Sequence, residues 1–223
     1  MTTAHDAGAT NVLFLFDDQH NADCLGFAGH PLVRTPNLDR LAAGGAPFDN
    51  MYCCGAICTP SRTSFSTGTY LRTHGQYMNS GDLRRPMPNL VEILAARGYD
   101  TFQSGKNHLP RAVADHFGEM HTMDTYERYL KSKGLSADRL SPVETKNFHS
   151  KRSDLPEAEQ SEAWTADRAV DFIRSRKGAG SPFFMWVSFQ RPHAPHTPPA
   201  GFDDLYKPGD IPIDWDEYDA FEN

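Results

Sequence analysis

A chain of 223 residues is long enough for one sizeable α/β core, or for part of a larger one. Its 39% hydrophobic and 23% charged residues exclude a disordered chain, and its net charge of −7 excludes a basic surface for nucleic acid or anionic lipid. Any anionic ligand must therefore be held by a few local cations in a pocket.

The first apolar run, residues 12–16, predicts a buried strand that ends abruptly at Asp17-Asp18. It is too short for a signal-peptide core and lacks a basic flank, and no other stretch approaches transmembrane length. All four cysteines (Cys24, Cys53, Cys54, Cys58) fall in the first quarter, as expected of free thiols in a reducing cytoplasm. Thr35 as N-cap and Pro36 open a helix that Gly44-Gly45 stop. A second strand is expected around residues 48–53, with Cys53 and Cys54 as small buried residues at its end. "TPSRTSFSTG" then predicts a short helix ending at Gly68, which puts Cys58 at its positive end. Leu90, Ile93 and Leu94 mark one face of the next helix, capped by Gly98, and a strand follows over residues 99–103. Residues 110–160 are polar and weakly periodic, and read as an irregular insertion with short helices at best. From Ser161 a long helix is predicted to turn Ala163, Ala166, Val170 and Ile173 inward, stopping at Gly178. Residues 182–189 form the last buried strand, and the tail from Pro192 is loop. This alternation predicts an α/β fold: a mostly parallel central sheet with helices on both faces.

Polar clusters follow the buried strands, where open α/β sheets gather ligands. They are Asp17-Asp18, Cys58 to Arg62, Lys106 with His108, and His193. Adjacent carboxylates at a strand end suit a hard cation such as Ca²⁺ or Mg²⁺, or else serve as a cap or solvated turn. The cysteines lack the paired spacing of a zinc knuckle. Cys58, with Arg62 one turn on, reads instead as a thiol beside an anion site, a plausible nucleophile.

Cys58-Thr59-Pro60-Ser61-Arg62 resembles the Cys-x-Pro-x-Arg signature of the type I sulfatases, in the alkaline-phosphatase-like superfamily. "NVLFLFDDQ", "TPNLDRLAAGG", "LVEILAARGYDTFQSGKNHL" and "SFQRPHAPHTPPAGFDDLY" resemble further blocks of that family in the same order, spanning residues 11–206. The resemblance implies that Cys58 is oxidised by a formylglycine-generating enzyme to formylglycine, whose hydrate attacks sulfur. It implies Asp17 and Asp18, with residue 58, as ligands of Ca²⁺ or another divalent cation such as Mg²⁺ or Mn²⁺. Arg62 would steady the nucleophile, and Lys106 and His108 would contact the sulfate. His193 would bind sulfate or protonate the departing oxygen, with His196 as a substrate-side wall. The family's later Asp-Asn or Asp-His block is not found, and "DWDEYDAFEN" has the wrong context for it. The chain thus resembles the N-terminal part of a single sulfatase catalytic domain, incomplete at its C-terminus.

The expected function is hydrolysis of a small sulfate ester by a cytoplasmic enzyme, with neither nucleic acid nor membrane as partner. A phosphodiesterase or phosphonate monoester hydrolase of the same superfamily is the alternative. A non-catalytic anion-binding fragment is a third reading.

Overall fold

A computed structural model describes residues 9–137 and 150–211. Four strands, β1 (Val12–Asp18), β2 (Asp100–Gly105), β3 (Glu119–Thr122) and β4 (Phe183–Pro192), form one parallel sheet in the order β1-β4-β2-β3. The helices are α1 (Pro36–Ala43), α2 (Cys58–Thr67), α3 (Leu71–His74), α4 (Leu90–Ala96), α5 (Arg111–Ala114), α6 (Met123–Ser132) and α7 (Ser161–Ser175).

Strand β4 runs through the middle, and its alternation builds two cores. Phe184 and Trp186 pack on one face with Val91 of α4, Val113 of α5 and Phe117. Met185 and Val187 pack on the other with Phe102 of β2 and Ala169 and Phe172 of α7. Burial of a side chain such as Phe102, with no exposed surface, contributes about 1.5–3 kcal/mol. Tyr126 and Leu130 of α6 join Trp164 and Leu155 in a smaller cluster. The sheet is thereby covered on both faces.

Strand β1 alternates too. Phe14 lies edge-on to Trp186 and stacks at 4.3 Å on Phe65 of α2, whereas Leu13 and Leu15 are about half exposed. This stacking seats α2 on the carboxyl half of the sheet. Gly68, in the left-handed conformation, ends α2 where a Cβ would be strained.

Three expectations are corrected. Residues 48–53 form no strand: no residue there joins the sheet, and Phe48, Met51 and Tyr52 are more than three-quarters exposed. A segment without a ladder partner stays a loop, and Cys53 and Cys54 are exposed. Within residues 110–160, the stretch 119–132 is regular, contributing β3 and the ten-residue α6; residues 138–149 lie outside the described residues. Helix α7 buries Trp164, Thr165, Ala169 and Phe172 and leaves Val170 and Ile173 exposed. The two aromatics have the larger apolar surface to hide, and they set the face.

Helix α2 is pinned from behind by His74, which has no exposed surface. Its Nδ1 accepts from the backbone N–H of Gln76, so Nε2 carries the proton toward Ser64 Oγ at 2.9 Å. Burial lowers its pKa below the ordinary 6.5. The unfolded chain therefore takes up this proton near 6.5 while the folded one does not, and stability falls as the pH drops below that value. His74→Gln should reduce the loss of unfolding free energy between pH 7 and pH 5, measured by urea denaturation at each pH. Identical pH slopes for the two proteins would contradict the assignment.

Candidate active site

The carboxyl ends of β1, β2 and β4 converge with the N-terminus of α2 around one buried carboxylate. Asp18 closes β1 beyond an irregularity that shifts its register from Phe189 to Pro192. Its Oδ2 accepts from Arg62 Nη2 at 2.8 Å and lies 3.0 Å from Lys106 Nζ. Burial alone would raise the pKa of Asp18. The hydrogen bonds and charges of Arg62 and Lys106 outweigh that and hold it below the ordinary carboxylate value.

Arg62 is buried one turn into α2, its guanidinium 4.6 Å over the ring of Phe16. Nη1 donates to Ser188 Oγ and to the carbonyls of Lys106 and Asn107. Nε has no hydrogen-bond partner among the described residues, leaving one donor unused. Cys58, the first residue of α2, is partly exposed. Its Sγ lies 3.7 Å from Lys106 Nζ and 3.8 Å from Asp18 Oδ1. A helix N-terminus, an ammonium and a carboxylate thus face one thiol.

His193, just past β4, brings a ring nitrogen into a group with an Asp18 oxygen and Cys58 Sγ, all within 4.8 Å of one another. His108 stands at a solvent-accessible position with φ +47°, in the left-handed region. Desolvation, then the charges of Lys106 and Arg62, lower its pKa, so its imidazole is neutral at pH 7. Asp17 lines the same cavity, of about 490 Å³, but its carboxylate pairs with His20. His196 lies outside that cavity and lines a neighbouring one.

The structure thus gathers Asp18, Cys58, Arg62, Lys106 and His193, with His108 close enough to feel their charges. Sequence reasoning missed Ser188, Phe16 and His20, which hold Arg62 and Asp17. Ser188 interrupts the apolar run of β4, and that break was the available signal. It also missed Gln19, whose φ of +62° marks strain next to Asp18.

Lys106 is aimed by a close approach of two strands. Its N–H donates to Ser188 O at 2.9 Å, and Gly105, at φ +86°, lets β2 come near enough. A Cβ at Gly105 would sit 2.0 Å from that same carbonyl. Gly105→Ala should cost about 1–3 kcal/mol or more by overpacking, read as a lower thermal midpoint. A midpoint equal to that of the unsubstituted chain would show that the strands are not held this tightly.

The family model described as Sulfatase matches residues 10–217. The Clostridium perfringens arylsulfatase is 29% identical over 96% of this chain and 50% of its own length. The Homo sapiens iduronate 2-sulfatase is 31% identical over 89% of this chain and 38% of its own. The crystal structure of a phosphonate monoester hydrolase from Agrobacterium radiobacter superposes with a TM-score of 0.75 at 27% identity, covering 92% of this chain and 45% of that one. The chain spans half or less of the length of these relatives.

Proposed function

The chain belongs to the sulfatase family, and we propose that it is the nucleophile-bearing N-terminal part of a sulfate-ester hydrolase acting through residue 58. The observation that carries this reading is the Cys58 thiol, poised at the N-terminus of α2 beside Lys106 and over the Asp18–Arg62 pair. Formylglycine, made from Cys58 by a formylglycine-generating enzyme, would supply an aldehyde hydrate whose hydroxyl attacks the sulfur.

A divalent cation, Ca²⁺ or else Mg²⁺ or Mn²⁺, would neutralise charge on the ester oxygens. The donor set fits in the modified form. Asp18, residue 58 and His193 already cluster, and Asp17 lines the same cavity. A thiol is a soft donor that suits such ions poorly, whereas an oxygen at residue 58 suits them well. Ligands beyond these would complete the shell.

The chain's own groups have distinct tasks. Arg62, held at four points by Asp18, Ser188 and two backbone carbonyls, fixes the nucleophile's surroundings without moving during reaction. Lys106 presents a compact positive charge to an anion at residue 58. Neutral His108 can donate to or accept from the ester. His193 can bind the sulfate or pass a proton to the departing oxygen.

The phosphonate monoester hydrolase neighbour supports a second reading, hydrolysis of phosphonate monoesters. Sulfate monoesters and phosphonate monoesters both carry one negative charge, so the Arg62–Lys106 cations serve either.

Co-expression with a formylglycine-generating enzyme, followed by peptide mass spectrometry, tests the reading. The peptide bearing Cys58 should show the mass change of thiol to aldehyde, while Cys24, Cys53 and Cys54 stay unchanged. An intact thiol at Cys58 in the folded chain would overturn it.

A further inference from the structure

A second cavity, of about 630 Å³, lies beside the catalytic one. Its floor is the N-terminal end of α7 with Gln160, Glu162 and Ala163, and its far wall is the loop after β4. Helix α7 runs antiparallel to the strands. At its C-terminal end Arg176 pairs with Asp100 at the start of β2, and near its N-terminus the Thr165 carbonyl accepts from Ser104 near the end of β2. The cavity therefore opens at the carboxyl edge of the sheet, as the catalytic cavity does. One loop divides them, since His193 faces the catalytic cavity while Arg191, Pro192 and His196 face the second.

The dividing loop is fastened to α7. Glu162 Oε1 accepts from Arg191 N–H at 3.2 Å, and Arg191 donates to the Pro195 carbonyl and to Thr197 Oγ1. The cation is thus tied to the loop through both terminal nitrogens and paired with Glu162 through Nε. Gln160 is buried, its amide donating to Ser153 and Leu155, and the Ser150 hydroxyl donates to the His196 carbonyl. What the walls offer a ligand is apolar: Pro192, Pro198, Pro199, Ala163 and Phe202. Glu162 pairs with Arg191, its Oε2 3.8 Å from Nε, so the further charge on the wall is the carboxylate of Glu157.

We propose that this second cavity receives the alcohol portion of the ester, and that it takes an uncharged, ring-bearing alcohol while rejecting one with a further anionic group. The proposal rests on the sulfate-ester reading of the catalytic cavity. Flat rings bury against the prolines and Phe202, where apolar area supplies the affinity. A second anion would meet the Glu157 carboxylate and a cation already paired with Glu162, which is discrimination by repulsion.

The test is titration of the unmodified 223-residue chain with four probes: 2-naphthol, 6-hydroxy-2-naphthoate, inorganic sulfate and 2-naphthyl sulfate. The proposal expects naphthol to bind at least tenfold tighter than the naphthoate, and Glu157→Gln to narrow that gap. Ala163→Trp, which fills the cavity, and Phe202→Ala, on an exposed loop, should each weaken naphthol about tenfold without changing sulfate binding. Naphthyl sulfate, spanning both cavities, should bind tighter than either half alone. Naphthol affinity indifferent to both substitutions, or naphthoate binding as tightly as naphthol, would overturn the cavity assignment. Naphthol bound in the cavity with no gain for naphthyl sulfate would overturn the link to the catalytic cavity. Absence of sulfate binding beside intact naphthol binding would sink the sulfate-ester reading, and the leaving-group role with it, while sparing the cavity as a ring-binding site.

Discussion

A carboxylate buried between two cations governs this structure. Asp18, Arg62 and Lys106 are each at most 5% exposed, and each comes from a different element: the end of β1, the second turn of α2 and the residue after β2. Taking three charges out of water is costly, and their mutual attraction offsets that cost only when the geometry is held closely. The surrounding fold supplies that hold. Phe65 stacked on Phe14 seats α2, the Gly105–Ser188 approach aims Lys106, and Ser188 meets Arg62 from β4. An apolar core would stabilise the fold more simply. The charged cluster at the sheet's carboxyl edge, with a helix N-terminus and a thiol above it, instead sets two cations against one carboxylate.

The same cluster explains the division of the surface around it. The segment 191–199, the end of β4 and the loop after it, carries His193 toward the charged cavity and His196 toward the apolar one, so two unlike chemistries lie on either side of a few residues. Glu162 ties that loop to α7, which is anchored at its other end by Arg176 on Asp100. Helix α7 is thereby a rigid strut from the amino edge of the sheet to the wall of the site. Strand β1 is different in kind. Its outward side chains Leu13 and Leu15 are half exposed, and α1 buries no residue, so this flank takes little part in the core among the described residues.

Much of this was legible in the sequence. Continuous apolar runs ending in polar residues gave three of the four strands, and the Pro and Gly boundaries of α1 and α2 emerged where expected. The clustering of Asp18, Lys106 and His193 followed from one rule, that strand ends gather ligands, whereas Cys58 and Arg62 enter from the N-terminal part of α2 with no strand leading directly into it. What failed was long-range. Residues 48–53 have strand-like composition but find no neighbour, which no local pattern reveals. Strand β3 is short and half polar because it lies at the sheet's edge, so its alternation is faint. The face of α7 was misjudged because Ala, Val and Ile keep helical spacing, while Trp164 and Phe172 win by area. Ser188 and Phe16 escaped because their roles depend on register across β1 and β4.

The central claim is that Asp18, Arg62 and Lys106 form one coupled unit rather than three independent charges. Urea unfolding of Asp18→Asn, Arg62→Met and the double variant measures that coupling directly. Each single substitution strands a buried charge and should cost about 3–5 kcal/mol. The double variant should lose far less than the sum of the two. Losses that simply add would show that the pair is not coupled, and would contradict the account.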